Sequence, residues 1–362
     1  MSQEDDGAHL CNPPSFGRSQ CSAAKLATRK VKVSELLVVG LAKVAHMEMR
    51  RAGKSGLTLS RLGLGTMTWG RDTDTHEAAD QCRAYIEAGG NFLDTSPIYG
   101  DGDAERVIGG MIGTLFQRDE VVIATKAGIS IVNGEKVLSN TRQSLIAELD
   151  KSLARLGTDH VDLWQLHRWD PYTPLEDTLS ALDYAYTSGK ARYVGISNFS
   201  GWQSSRAITL QELHSMKAPI VTLQNEYSLL NREVEEEILE CADELNVGFL
   251  AWAPLARGVL TGKYRTGIPS DSRAAAPHFI KHVEPYMNER AARIVEAVSV
   301  AAEGLGFAPL EVALAWVRDN SSVTSAIVGA RTGAQMRGIL KSEEITLPQT
   351  IRDVLDEVSA VL

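Results

Sequence analysis

Asn91-Phe92-Leu93-Asp94-Thr95-Ser96-Pro97-Ile98-Tyr99-Gly100 is the stretch whose reading decides the fold. It starts apolar, as a buried strand does, and turns polar at its end. Asp94 closes the strand, and Tyr99 lies in a loop opened by Pro97 and closed by Gly100. Upstream, Ala78, Cys82, Tyr85 and Ile86 recur at helical spacing, and Gly89-Gly90 stops that run. The unit is a helix, a strand and a polar loop. An Asp and a Tyr at a strand's mouth do little for a core. They are useful where a proton is to be delivered.

The same unit recurs in both directions. Core strands are expected over 59–68, 91–95, 121–126, 161–166, 191–197, 220–225, 247–252 and 323–328. A short hairpin with a first arm near 51–58 precedes them. Helices are expected over 75–89, 104–116, 140–156 (capped by Ser139 or Asn140), 175–188, 200–214, 232–246, 288–304, 309–319, 332–341 and 347–361. A Gly- and Pro-bearing segment covers 256–286. Strict alternation of strand and helix implies parallel strands with right-handed crossovers. Eight units in roughly 300 residues fit an α/β fold of the closed (β/α)8 TIM-barrel type. The competitor is an open doubly wound sheet. Against it, no Gly-x-Gly-x-x-Gly turn opens a helix after the first strand.

Composition sets the class. The chain has 362 residues, of which 44% are hydrophobic and 23% charged, an ordinary globular balance. A net charge of −9, without a basic stripe, argues against a nucleic-acid partner. No apolar run approaches the ~20 residues that span a bilayer, so no membrane partner is expected. Cys11, Cys21, Cys82 and Cys241 form no Cys-x-x-Cys pair, which suits reduced thiols and a cytoplasmic location. Residues 1–48 differ from the rest. The first 22 are rich in Ser, Gly, Pro, Asn and Asp, residues 25–32 are basic, and 36–42 are apolar. The expectation is a disordered extension, with Met47 or Met49 opening the compact protein over 49–362. A signal peptide fits poorly, because the apolar run lies far from Met1 and follows an acidic start.

In such a barrel, the C-terminal ends of the strands line one mouth. Those ends carry Gly65-Thr66-Met67, Asp94, Lys126, His167, Ser197-Asn198, Gln224, Trp252 and Gly329-Ala330-Arg331. Taken singly, Asp94 reads as a turn residue, Lys126 as a solvated charge and His167 as a polar loop residue. Together with Tyr99 they complement one another. An ammonium beside a phenol favours phenolate and lowers its pKa. Lys126 can supply it, Asp94 can hold Lys126 charged, and His167 can hydrogen-bond a carbonyl oxygen. The set suits protonation of a developing alkoxide during hydride transfer. It suits neither a metal site, since one carboxylate and one His converge, nor Ser/His/Asp acyl transfer.

These segments resemble the aldo-keto reductase superfamily. The resemblance rests on Leu62 to Thr66, Asn91 to Gly100, Ala124-Thr125-Lys126, Asp162 to Arg168, Gly195 to Phe199, Gln224 to Tyr227, Ala253 to Gly258, Leu260 to Tyr264, and Gly329-Ala330-Arg331 with Gln335. It covers the chain from about residue 50 onward, in order. By resemblance, Asp94, Tyr99, Lys126 and His167 are the catalytic tetrad of an NADPH-dependent carbonyl reductase. Ser197, Asn198 and Gln224 would hold the nicotinamide carboxamide, and Trp252 would stack on the ring. Thr66, Met67, Pro254, Leu255 and Gly329 would line the same groove. Gly258, Lys263 and Arg273 would clamp the pyrophosphate. Arg331 and Gln335 would hold the 2′-phosphate and adenine, favouring NADP over NAD, since Arg at a helix N-terminus suits a phosphate dianion. Where relatives continue Gln-x-x-Glu-Asn, this chain has Gly338-Ile339. Trp69, Arg168 and Trp169 would shape the pocket for a small carbonyl substrate, although either Trp could equally pack a loop. A second reading is a cofactor-binding regulatory subunit, in which a tetrad member is often replaced. The sequence leaves substrate and oligomeric state open.

Overall fold

Polar strand ends point one way in the computed structural model, which describes residues 47–213, 217–270 and 272–360. Of the expected extension, residues 1–46 lie outside the described residues. The first elements form an antiparallel hairpin, β1 (Met49–Arg51) with β2 (Thr58–Ser60). Then follow β3 (Leu62–Gly65), α1 (Thr75–Glu87), β4 (Phe92–Asp94), α2 (Asp103–Met111) and β5 (Val122–Ala127). A second hairpin, β6 (Ile129–Val132) with β7 (Glu135–Leu138), precedes α3 (Arg142–Leu156), β8 (Val161–Leu166), α4 (Leu175–Thr187) and β9 (Ala191–Ser197). Next are α5 (Gly201–Leu213), β10 (Ile220–Glu226), α6 (Val234–Glu244) and β11 (Gly248–Trp252). The chain continues through α7 (Ile280–Val283), α8 (Glu289–Leu305), α9 (Pro309–Arg318), β12 (Val323–Val328), α10 (Gly333–Leu340) and α11 (Gln349–Ser359).

Strands β3, β4, β5, β8, β9, β10, β11 and β12 form a closed parallel barrel, sealed where β12 pairs with β3. The fold is the (β/α)8 TIM barrel. Leu57, Leu59, Phe92, Ala124, Leu163, Val221, Leu250 and Ile327 pack in one apolar cluster, and a larger one joins strands to helices. At Gly63 a Cβ would lie 2.6 Å from the Phe92 ring, so close packing requires the glycine.

Three expected boundaries move for physical reasons. The strand over 59–68 divides into β2 and β3, and Thr66 leaves the sheet to bond the Asp94 carbonyl. Helix α2 ends at Met111, where Ile112 turns extended. The cap of α3 is Thr141, not Ser139 or Asn140. Asn140 is buried instead, donating to the Arg168 carbonyl from Nδ2 (2.9 Å) and to Asp170 Oδ2 from its amide (3.0 Å). Among the described residues, no single helix is long and apolar enough to cross a membrane.

Candidate active site

Asp94, Tyr99, Lys126 and His167 reach the mouth from three successive barrel strands. Asp94 ends β4 and pairs in register with Ala124, two residues before Lys126. That spacing places Asp94 beside Lys126 on one side of the sheet. Both are buried, at 3% and 1% exposure. Lys126 Nζ donates to Asp94 Oδ1 (2.8 Å), Asp94 Oδ2 (2.7 Å) and the Thr95 carbonyl (3.0 Å). Burial alone would push the Lys126 pKa down, but Asp94 and Tyr99 hold it above the ordinary value, so the ammonium persists.

Tyr99 opens a short 3-10 turn, and its amide donates to the Ser96 carbonyl at 3.0 Å. Lys126 Nζ lies 5.4 Å from the phenol ring centroid. Burial raises the Tyr99 pKa, Lys126 opposes the rise and Asp94 adds to it, and the net direction is upward. This corrects the expectation that Lys126 would bring the phenol down: desolvation outweighs the ammonium. Tyr99 is therefore protonated at neutral pH, the state that can give a proton away.

His167 follows β8 directly, and its amide donates to the Ala127 carbonyl at 2.8 Å. Its ring stands edge-on to Tyr99, with centroids 6.4 Å apart, and Nδ1 lies 3.2 Å from Ser96 Oγ. Burial, with the nearby Lys126 charge, brings its pKa down to about 3. A neutral imidazole can donate one hydrogen bond to a carbonyl oxygen without carrying charge into the site.

The residues assigned to the cofactor form two groups. Near the tetrad, Ser197 Oγ donates to the Gln224 carbonyl (2.8 Å), and Asn198 Nδ2 donates to the His167 carbonyl (2.9 Å) and Ser197 Oγ (3.0 Å). Trp252 Nε1 donates to Asn198 Oδ1 at 3.2 Å. Gln224 Nε2 donates to Asp94 Oδ1 at 2.9 Å, so Gln224 also belongs to the Asp94–Lys126 pair. Thr66 is buried, with Oγ1 donating to the Asp94 carbonyl at 3.1 Å, and Met67 beside it is half-buried. Pro254 is buried and Leu255 half-buried in the turn after β11.

Farther round the mouth, three cations gather. Burial holds Arg273 and Lys263 below their ordinary pKa values, and the charge of Arg331 adds to both depressions. A Cβ on Gly258 would lie 3.1 Å from Lys263 Nζ, and one on Gly329 would lie 3.8 Å from Arg273 Nη2. Two glycines thus leave room beside mutually repelling cations, which fits a phosphate-bearing ligand. The Gln335 side chain is partly committed, because Oε1 accepts from the Arg331 amide at 2.9 Å.

The three residues assigned to the substrate diverge. Trp69 is fully buried, and its indole N–H donates to Gln81 Oε1 at 3.1 Å, so it packs its loop and offers no surface to a substrate. Trp169 is half-buried, edge-on to Phe199 (5.3 Å) and Trp202 (5.6 Å). Arg168 is exposed.

Sequence reasoning missed Ser96 beside His167, the Gln224–Asp94 contact, and Glu226. Glu226 ends β10 and binds Arg257 and Tyr286. Its signal was present: an acid two residues after Gln224, at a strand end.

The fold is a parallel α/β barrel whose mouth carries a buried Lys–Asp pair beside a protonated Tyr. The sequence pattern of the Aldo/keto reductase family matches residues 61–360. An L-glyceraldehyde 3-phosphate reductase of Escherichia coli O157:H7 is 36% identical over 302 residues, covering 81% of this chain and 87% of that protein. An uncharacterised oxidoreductase of Bacillus subtilis (strain 168) is 35% identical, covering 86% and 96%. A probable voltage-gated potassium channel subunit beta of Oryza sativa subsp. japonica is 34% identical, covering 87% and 97%. The chain belongs to the aldo/keto reductase family.

Proposed function

We propose that the protein is an NADPH-dependent reductase of aldehydes or ketones, with Tyr99 as the general acid. The observation that carries this reading is the Lys126 ammonium, bonded to Asp94 through both carboxylate oxygens and 5.4 Å from the Tyr99 ring. When bound, the cofactor supplies a hydride. The chain's own residues do the rest. Neutral His167 orients the carbonyl oxygen towards Tyr99. The phenol O–H gives its proton to that oxygen as negative charge develops on it. Lys126 stabilises the phenolate left behind, and Asp94 with Gln224 keeps Lys126 in place. Lys263, Arg273 and Arg331 would hold the phosphates. A cytoplasmic location goes with this reading, together with the free thiols of Cys82 and Cys241.

Tyr99→Phe tests the assignment. Turnover of an aldehyde panel should fall on the order of 10²–10⁴-fold, with NADPH affinity unchanged. Reduction at the wild-type rate would falsify the role of Tyr99. The similarity to channel beta subunits favours a second reading, a cofactor-binding regulatory subunit with little turnover. Wild-type protein that binds NADPH tightly but oxidises none with any aldehyde would support it.

A further inference from the structure

Glu226 is not one of the four catalytic side chains, yet it is tied to both ends of the long loop between β11 and α8. We propose that Glu226 is a positioning residue: through Arg257 and Tyr286 it fastens that loop to the barrel and so sets how long a dinucleotide stays bound. The proposal rests on the reading that this mouth holds NADPH.

Glu226 sits on rigid backbone, as the last residue of β10, paired in register with Trp252. Its carboxylate accepts two bonds from Arg257 Nη2 (3.1 and 2.9 Å) and one from the Tyr286 hydroxyl (2.7 Å). Arg257 lies at the start of the loop and Tyr286 near its end. The Arg257 guanidinium carbon lies 5.2 Å from the Trp252 ring and 5.9 Å from the Tyr286 ring. One carboxylate therefore gathers the loop's two roots against the aromatic residue next to the candidate cofactor groove.

The turn needs such a hold. Ala253 (φ 53°), Ala256 (φ 45°) and Arg257 (φ 58°) all have left-handed backbone, which side-chain-bearing residues rarely adopt. Strain of this kind persists only where surrounding contacts over-determine it. Within the turn, Ala256 N donates to the Ala253 carbonyl and Gly258 N to the Leu255 carbonyl. The charged contact to Glu226 comes from outside. Gly258 follows Arg257, and a Cβ there would lie 3.1 Å from Lys263 Nζ, so the hold at Arg257 is one residue from the cation cluster.

Glu226→Gln tests this by removing the charge at nearly constant volume. Four quantities are measured: NADPH dissociation by stopped-flow fluorescence, the hydride-transfer rate in single turnovers, hydrogen exchange of residues 256–286 in the cofactor-free protein, and exchange of the barrel strands. The expected result is dissociation faster by about tenfold and faster loop exchange, with strand exchange unchanged. The hydride-transfer rate in single turnovers at saturating NADPH should change less than the release rate. Unchanged release and unchanged loop exchange overturn the proposal, as does strand exchange rising with that of the loop. Tyr286→Phe removes one hydrogen bond to the carboxylate while keeping the Arg257 pair, and should give the same pattern at roughly two- to threefold. Release at the wild-type rate in that variant also overturns it. Wild-type protein that binds no NADPH sinks the cofactor reading instead, a result visible before any variant is compared.

Discussion

Lys126 and Asp94 stabilise the mouth as a pair, and neither is tolerable there alone. Lys126→Met should leave the Asp94 carboxylate buried with Gln224 as its remaining side-chain partner. Breaking a buried pair from one side costs about 3–5 kcal/mol. Urea unfolding at pH 7 should show a loss of that size, and a loss near zero would mean water already reaches the pair. His167 gives a pH prediction. Its folded pKa, about 3, lies below the unfolded value near 6.5, so between them the unfolded chain binds the extra proton. The stability from neutral His167 is present above about pH 6.5 and is lost as pH falls towards 3. The upper limit is about 1.4 kcal/mol per pH unit, reduced by solvent because the ring is half-buried. Urea titrations of wild type and His167→Gln between pH 7 and 4 should diverge with that sign. Asp94, Lys126, His167, Ser197, Gln224 and Trp252 were legible because they stand at strand ends, where one rule locates them. What those residues touch was not legible. The Gln224–Asp94 bond joins positions 130 apart, and no local pattern reports it. Trp69 stayed open between pocket and loop for the same reason: its partner, Gln81, lies on the following helix.

At the scale of elements, eight barrel strands could be read because apolar runs end in polar residues and helices of regular period separate them. The β6–β7 hairpin is absent from the elements expected from the sequence, although Asn133-Gly134 at its tip is a strong two-residue turn signal. Its strands are mostly exposed, so they lack the apolar alternation that marks a strand. The turn after β11 was unreadable, since Ala253, Ala256 and Arg257 carry no preference for left-handed backbone. That mismatch is itself testable. Ala253 is half-buried with φ 53°, and Ala253→Gly relieves the backbone without opening a core cavity. Thermal unfolding should show stabilisation by up to about 1 kcal/mol, after the extra chain entropy of glycine is subtracted. Ala253→Val should destabilise. Equal melting of the three proteins would mean that the turn is not held in this conformation in solution.

For the whole molecule, the barrel converts separate strand ends into two charge environments at one mouth. One is the nearly neutral Asp94–Lys126 pair beside Tyr99. The other is a cationic region of Lys263, Arg273 and Arg331, unusual in a chain of net charge −9. The charge of Arg331 adds to the depressed pKa of both Lys263 and Arg273, a repulsion that a phosphate would relieve. Ligand binding should therefore raise overall stability more strongly for the dinucleotide with the additional phosphate. At a concentration of 100 times its Kd, NADPH should contribute about 2.7 kcal/mol, a melting shift of roughly 5 °C. At the same concentration NADH should shift melting less. Arg331→Met should then lower NADPH affinity by tenfold or more, about the strength of a charge-assisted bond, and leave NADH affinity nearly unchanged. Parallel thermal titrations of both proteins with both dinucleotides separate the cases. Equal weakening of NADPH and NADH would place Arg331 against a part they share, such as the pyrophosphate. The preference for NADP would then have to come from elsewhere in the cluster.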